Sequence, residues 1–389
     1  MLLGRDSAHD GIKERAFFVK DALAEELLAK VMGWGPAQVA QERAILQDLA
    51  RYKYDEYQQF SPGQRFIESL ALWLRQFDAG EARTAAYQFV RRRLLFISNA
   101  EMDHLVGSAF PTIIRPWLLE KVARETSVPA YQVKRIENGV SYGTLLRQTL
   151  FLGLSDGAHT DRFRRANPRI SNEQIWHAYD FSAQKAQEFA RKLKRDLTKR
   201  LGRAPTDSEA KYRAVCLLDD FTGSGRTYLR EENHQPDGKI AKIFSKLKDP
   251  KSEYADFVAQ SEVDLLVVIY VATHQAVEHL KRELGRLLAL NADEVLKVVH
   301  LLPAETPLSL PGDKAFLALV ENDRYFDPAA DDEHGAVGGE SVRYGFAGCR
   351  LPLVLSHNTP NNSVFLLCAE DGYNVRGLFP RISRHRRSV

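Results

Sequence analysis

Val215-Cys216-Leu217-Leu218-Asp219-Asp220-Phe221-Thr222-Gly223-Ser224-Gly225-Arg226-Thr227 reads as a buried strand, two acids at the strand's end, a loop of small residues and then a helix from Tyr228 onward. Four apolar residues in a row, Val215 to Leu218, are what a strand covered on both faces presents. The carboxyl end of a parallel strand is where open α/β folds bind ligands. Gly223 and Gly225 let backbone N–H groups approach a ligand closely, and Ser224 and Thr227 add hydroxyls. The N-terminus of the following helix favours an anion such as phosphate. Asp219 and Asp220 would repel a phosphate that they faced, so they make sense facing hydroxyl groups or a divalent cation. A sugar with vicinal hydroxyls and a 5′-phosphate satisfies both halves of such a site.

Outward from this stretch, short apolar runs alternate with helical segments, the pattern of a parallel α/β sheet. The clearest runs are Leu150 to Leu154, Val263 to Ala272 and Val295 to Leu302; Ala315 to Val320, Leu351 to Leu355 and Val364 to Cys368 are weaker. Asn172 to Leu201 and His274 to Leu290 are the clearest helices among them. Residues 1 to about 135 read as helical throughout. Ile12 to Met32 repeats apolar residues at three and four, and Gln38 to Tyr57 does the same. Ser61-Pro62 has the form of a cap opening a helix through Phe77. Arg83 to Leu95 carries Arg91, Arg92 and Arg93, a solvated face or a nucleic-acid contact. The expected division is a helical region over 1–135 and an α/β domain over 136–389. Within the latter, 232–261 reads as a lysine-rich insertion and Phe326 to Glu340 as a mobile Gly/Asp-rich loop.

Composition narrows the classes. The chain has 389 residues, 44% hydrophobic and 27% charged, with a net charge of +3. That excludes a disordered chain and makes any nucleic-acid binding a matter of a local patch. Such a patch is the tail, Arg376 to Val389, with five arginines and no acid; it serves a nucleic acid, a partner or solubility. Three scattered cysteines, Cys216, Cys349 and Cys368, fit neither a disulfide framework nor a cysteine-based zinc site. With no apolar stretch of signal-peptide type at the N-terminus and no run of membrane-span length, the expectation is a cytoplasmic protein without a membrane partner.

The stretch from Val215 to Thr227 resembles the ribose-phosphate loop of the type I phosphoribosyltransferases, in which a strand ends in two acids followed by a Thr/Ser-Gly-x-Thr turn. Asp219 and Asp220 match the acids, and Ser224, Gly225, Arg226 and Thr227 match the turn without a gap. The resemblance implies a phosphoribosyltransferase-like parallel sheet flanked by helices, preceded by the helical N-terminal region. It implies that Asp219 and Asp220 act at the ribose hydroxyls and hold Mg²⁺. It also implies that Thr222, Gly223, Ser224, Gly225, Arg226 and Thr227 hold the 5′-phosphate of phosphoribosyl pyrophosphate (PRPP) or a nucleotide. Two other phosphate motifs are excluded: no GxxxxGK[ST] string exists, and GxGxxG fails because position 228 is Tyr; the plain alternative is an acidic strand end that caps the following helix, which does not explain the Thr-Gly-Ser-Gly loop. One departure stands out. Purine-base members carry an acid immediately before the turn, where this chain has Gly223.

Two further loops are candidates. Gly153 to His159 follows the first strong strand, where the family places its pyrophosphate loop; Ser155, Asp156 and Gly157 are the contact candidates, with Arg162, Arg164 and Arg165 to neutralise charge. The alternative is a turn leading to a surface helix. Ser356 to Ser363 joins two apolar runs as strand–loop–strand. There His357 is a candidate acid or base, and Asn358 and Asn361 are candidate ligand contacts; the alternative is a well-bonded turn.

The strings FISNAEMDHL (96–105), LGLSDGAHTDRFRRAN, DDFTGSGRT, HNTPNNS and LFPRISRH together resemble the phosphoribosyltransferase-like proteins of bacterial conflict systems, including effectors encoded beside retron reverse transcriptases. That resemblance implies an antiphage effector transferring or cleaving at ribose C1, held in check by a reverse transcriptase with its RNA–DNA product. The alternative is a non-catalytic, nucleotide-sensing regulatory module that binds a nucleoprotein partner.

Overall fold

The computed structural model describes residues 21–260, 263–288, 292–332, 335 and 337–382. The first twenty residues of the chain and the last seven, with most of the tail's arginines, lie outside the described residues, as do parts of the 326–340 segment. The chain divides into two compact units, one of residues 1–99 with 305–389, the other of residues 100–304. These lines differ from the expected division at 135/136, for reasons that lie in the pairing of the C-terminal segment.

In the first unit, helices over 21–32, Pro36–Tyr52, Phe66–Arg75 and Glu81–Arg92 share one apolar core with the C-terminal segment. Strand Leu95–Ile97 pairs in parallel with Leu353–Leu355. Phe379 sits in an aromatic cluster with Tyr57, Phe60 and Phe66 at centroid distances of 5.1, 5.5 and 5.8 Å. The Trp73 indole donates to Leu366 O at 2.8 Å. A three-residue strand leaves no periodicity to read, so the expectation of no strand before residue 135 misses Leu95–Ile97. Ser61-Pro62 makes a turn rather than a cap, with Gln64 N bonded to Ser61 O, and the helix begins at Phe66. Ala315 to Val320 and Val364 to Cys368, expected as strands, are helical over Lys314–Glu321 and Phe365–Cys368. Short apolar runs do not separate the two states by pattern alone. Two of the three arginines of the run are held within the unit: Arg91 pairs with Glu42, and Arg93 Nε lies 2.8 Å from Asp313; Arg92 is exposed.

The second unit holds a five-stranded, fully parallel sheet: β1 Thr149–Gly153, β2 Ile175–Trp176, β3 Ala214–Thr222, β4 Asp264–Ala272 and β5 Leu296–Leu301, in the order β2-β1-β3-β4-β5. This is an α/β fold with a phosphoribosyltransferase-like parallel sheet flanked by helices. Alternate residues of the strands, Leu150 and Leu152, Val215 and Leu217, Val267 and Ile269, share one core with helices Ala183–Leu201, Lys239–Lys248 and His274–Leu288. β2, only two residues long, falls inside the segment expected as one helix from 172 to 201. The 232–261 region is mostly the β3–β4 crossover rather than an insertion. In helix Lys239–Lys248, Ile240, Ile243 and Leu247 are buried, Lys242 and Lys248 are exposed, and Lys246 pairs with Asp180 and Glu253. Among the described residues no helix is long and apolar enough to cross a membrane.

Candidate functional site

The sheet order reverses between β1 and β3: the chain passes from β1 outward to β2, then from β3 outward to β4 and β5. In open parallel sheets the crevice at the carboxyl ends of the strands flanking this reversal is the ligand site. The loops that follow β1 and β3 are the two read from the sequence, and the fold brings them together. Leu154 N still bonds Leu218 O at 2.9 Å beyond the end of β1. Ser155 Oγ donates to Asp219 Oδ1 and accepts from Gly157 N at 3.2 Å, capping the short turn Asp156–Ala158. A Cβ at Gly157 would run into the Asp220 carboxylate, so that close approach requires glycine. The Tyr270 hydroxyl anchors the far side of the turn by donating to Ala158 O at 3.1 Å.

The two acids, equivalent by sequence, are separated by the pleat. β3 runs through them to Thr222, four residues past the apolar run, and consecutive residues of a strand point to opposite faces. Asp219 follows Val215 and Leu217 into the helix-covered face and is 1% exposed. Its Oδ2 lies 2.6 Å from the Tyr228 hydroxyl and 3.6 Å from Lys239 Nζ. Asp220 is half-buried, and its Oδ1 accepts from Phe221 N at 2.8 Å. Asp219 is therefore engaged by neighbours of its own chain within the helix-covered face, while Asp220 lies on the opposite face of the strand end, half-buried against Gly157. Neither Tyr228 nor Lys239 was a sequence candidate.

Burial, then the neighbouring Asp220 charge, push the Asp219 carboxyl up to about 6, against the opposing pull of Lys239, Ser155 and Tyr228. Burial also holds the Tyr228 phenol well above its ordinary value, so it stays a donor. The folded carboxyl thus binds its proton more tightly than the unfolded one. Stability contributed by this group is present below the ordinary value of 3.8 and declines as pH rises towards about 6. Urea unfolding of wild type and Asp219→Asn across that interval should show wild type losing stability relative to the variant, then a constant difference at higher pH. A difference that does not change with pH would contradict the burial of an ionisable Asp219.

The small-residue loop is a turn, not a helix start. Thr222 Oγ1 accepts from Gly225 N at 3.1 Å, and Thr273, which caps helix His274–Leu288, donates its hydroxyl to Gly223 O at 2.6 Å. Gly225 has φ +75°, and its Cβ would meet Leu280, His279 and Ala276 O at 2.9, 3.0 and 3.1 Å. Thr222, Gly223, Ser224 and Gly225 are buried, Arg226 is half-buried and Thr227 exposed. The helix expected from Tyr228 gives way to a hairpin, Arg230–Glu232 with Gln235–Asp237. Asn233 and His234 at its tip have φ of 50° and 59°, the conformation of a two-residue type I′ turn. The helix begins only at Lys239, and its first N–H groups bond back to the loop: Lys239 N to Thr227 O and Ile240 N to Tyr228 O, at 3.3 and 2.9 Å. Those N–H groups are already occupied by the loop, so the helix end is not the anion holder that the sequence reading made it. An anion at this loop relies on the turn's own backbone, the hydroxyls of Ser224 and Thr227, and Arg226.

The remaining candidates are placed otherwise. Arg162 pairs with Asp103, and Arg165 lies 3.6 Å from Asp161. His357, Asn358 and Asn361 belong to the first unit. There Gln59 Nε2 donates to His357 O at 2.7 Å, Asn358 holds the backbone of Ile382 through both ends of its amide at 2.9 and 3.2 Å, and Phe346 N donates to Asn361 O at 2.7 Å. The segment is strand–loop–helical turn, and these contacts tie it to neighbours in its own unit. As to a cation, no group of three or more His, Cys, Asp or Glu side chains able to hold a metal exists among the described residues. With Asp219 engaged by Lys239, Tyr228 and Ser155, the protein's donor set does not fit a resident ion.

A parallel sheet whose reversal point carries an Asp-Asp strand end, a Gly-Ser-Gly turn and a Ser-Asp-Gly loop defines a phosphoribosyltransferase (PRTase)-like fold. Residues 70–381 match the model of the PRTase-CE family, and the chain belongs to that family. No curated protein and no solved structure matches the chain.

Proposed function

We propose that the crevice between the β1 and β3 loops binds a ribose 5-phosphate ligand, PRPP or a nucleotide, and supports transfer or cleavage at ribose C1. The observation that carries this reading is the junction of the loops: Ser155 bonded to Asp219 and Gly157 closed against Asp220 at the point of sheet reversal. The turn from Thr222 to Thr227 takes the 5′-phosphate. Asp220 accepts from the ribose hydroxyls, and Asp219 is a positioning residue that ties Ser155, Tyr228 and Lys239 to the strand end. The Ser155–Gly157 turn takes the diphosphate. Mg²⁺ comes with the diphosphate and supplies charge neutralisation there. Positive charge developing at C1 is stabilised by the preorganised carboxylate field around it.

Titration of the full chain with PRPP and Mg²⁺, followed by assay of pyrophosphate release with bases, nucleotides, nucleic acid or water as acceptor, tests the reading. Binding with release is expected; absence of PRPP and nucleotide binding would overturn it. A second reading, a sensor without turnover, is favoured by one observation: the position of the purine-type acid is Gly223, whose carbonyl is tied to Thr273. Tight binding without release for any acceptor selects it. The strings shared with conflict-system proteins support an antiphage role under a reverse transcriptase and its RNA–DNA product. Toxicity on expression, relieved by that partner, is the expected result.

A further inference from the structure

The opposite edge of the same sheet carries a second polar cavity. Arg147 and Gln148 immediately precede β1 and Gln174 precedes β2, so this cavity lies at the amino ends of the strands, about 15 Å of strand away from the crevice. It has a volume of about 490 Å³ and is walled by Arg147, Arg169, Gln174, Asp196, Lys199 and Arg200, four cations against one acid. Arg147 is 6% exposed. Its Nε donates to Asp196 at 2.9 Å and its Nη1 to the Tyr212 hydroxyl at 3.1 Å, while Nη2 is buried without a hydrogen-bond partner. A buried guanidinium N–H group with no acceptor is costly. Gln174 Nε2 is fixed by Leu146 O and Thr149 O at 2.7 and 2.8 Å, which makes this wall rigid. Gly143 lies directly under the Arg200 guanidinium, where a Cβ would collide with it.

Helix C-termini attract cations, and Arg147, Lys199 and Arg200 each lie in the last turn of a helix. That accounts for their charge. It does not account for Arg169, which stands outside any helix, nor for the unpartnered Nη2, nor for the open volume the four cations surround. We propose that this cavity is a second anion site that takes a small molecule bearing two or more linked phosphoryl groups. Guanidinium forks match phosphate oxygens in bidentate fashion, and the volume falls in the range of small-ligand pockets. No aromatic side chain lines it, so it has no stacking platform of the kind that single-stranded nucleic acid uses.

The test is calorimetric titration of the full chain with inorganic triphosphate, without added metal. Wild type is compared with Arg169→Gln/Arg200→Gln and with Arg191→Gln/Lys194→Gln, which removes two exposed charges from helix Ala183–Leu201 outside the cavity. All of these side chains are exposed, so the variants are expected to melt with wild type. The cavity variant should lose about tenfold or more in triphosphate affinity, and the control variant should stay within about twofold. Binding of ribose 5-phosphate, which carries a single phosphoryl group, should be the same in wild type and cavity variant, which separates this site from the crevice whether or not the crevice turns over. Failure of wild type to bind triphosphate, equal binding by the cavity variant, or an equal loss in the control would overturn the proposal. Binding of a short RNA duplex, but not triphosphate, with the same dependence on Arg169 and Arg200 would overturn it as well, by assigning the face to nucleic-acid phosphates.

Discussion

Asp220→Asn is expected to lower affinity for PRPP by about 100-fold while leaving the melting temperature where it is. The carboxylate is the half-buried member of the pair, and a hydrogen bond from a ligand hydroxyl to an ionised acceptor is worth about 1.5–3 kcal/mol. Loss of the charge, with one neutral oxygen retained, corresponds to roughly two factors of ten. The fold tolerates the change because Asn Oδ1 keeps accepting from Phe221 N, which lies 2.8 Å from the present oxygen, and because the amide is nearly isosteric against Gly157. Asp219→Asn should behave in the opposite way. Its amide keeps one acceptor oxygen where Ser155 and Tyr228 use two, so its first effect is on stability, a cost of about 1–3 kcal/mol at low pH that shrinks as the wild-type carboxyl ionises, and any loss of binding follows from the loosened strand end. Calorimetry and thermal melts on the two single variants distinguish the roles. Equal binding losses with equal melting temperatures would show that the two acids act alike at the ligand.

Gly225→Val should abolish ligand binding and destabilise the protein. Two separate constraints meet at this residue. A non-glycine residue at φ +75° carries strain of about 1–3 kcal/mol, and a branched side chain there is forced onto Leu280, His279 and Ala276 O, overpacking that costs typically about 1–3 kcal/mol. Helix His274–Leu288 is held at its start by Thr273 and is not free to retreat, so the loop has to move instead. Gly225→Ala brings the backbone strain and the first of these contacts, and Val adds two methyl groups to them. A urea midpoint for Val no lower than that for Ala would show that the helix yields and that close packing does not shape the loop.

What was legible in the sequence follows the length of the signal. β1, β3, β4 and β5 are apolar runs long enough to stand out, and the loops after β1 and β3 carry small and acidic residues that have no reason to lie in a core. β2, reduced to Ile175 and Trp176, and Leu95–Ile97 are shorter than any period. Ala315 to Val320 is apolar at nearly every position, so neither strand nor helix spacing shows. The inequality of Asp219 and Asp220 was readable from the period of two, once Val215 and Leu217 are taken as one face. Lys239 was not readable: it comes to Asp219 across a hairpin, and no local pattern marks it. The hairpin itself left one cue, an Asn-His pair between polar residues at 233–234, of which asparagine tolerates positive φ.

That hairpin also has a consequence for how the site can vary. The chain leaves the loop after Tyr228 and re-enters at Lys239, where the backbone bonds Lys239 N to Thr227 O and Ile240 N to Tyr228 O join the two ends. Leu229 is still held in the core, with its carbonyl 2.8 Å from His279 Nε2; the exposed residues beyond it are a side branch from a closed stem. Doubling the length of such a branch adds only about 0.6 kcal/mol of closure entropy, and the stem does not register what the branch carries. Residues 231–236, all exposed, are thus a grafting point beside the crevice. A peptide tag, a fluorophore or a longer natural excursion can be hung there, within reach of whatever occupies the loop, without redrawing the strand end that holds it.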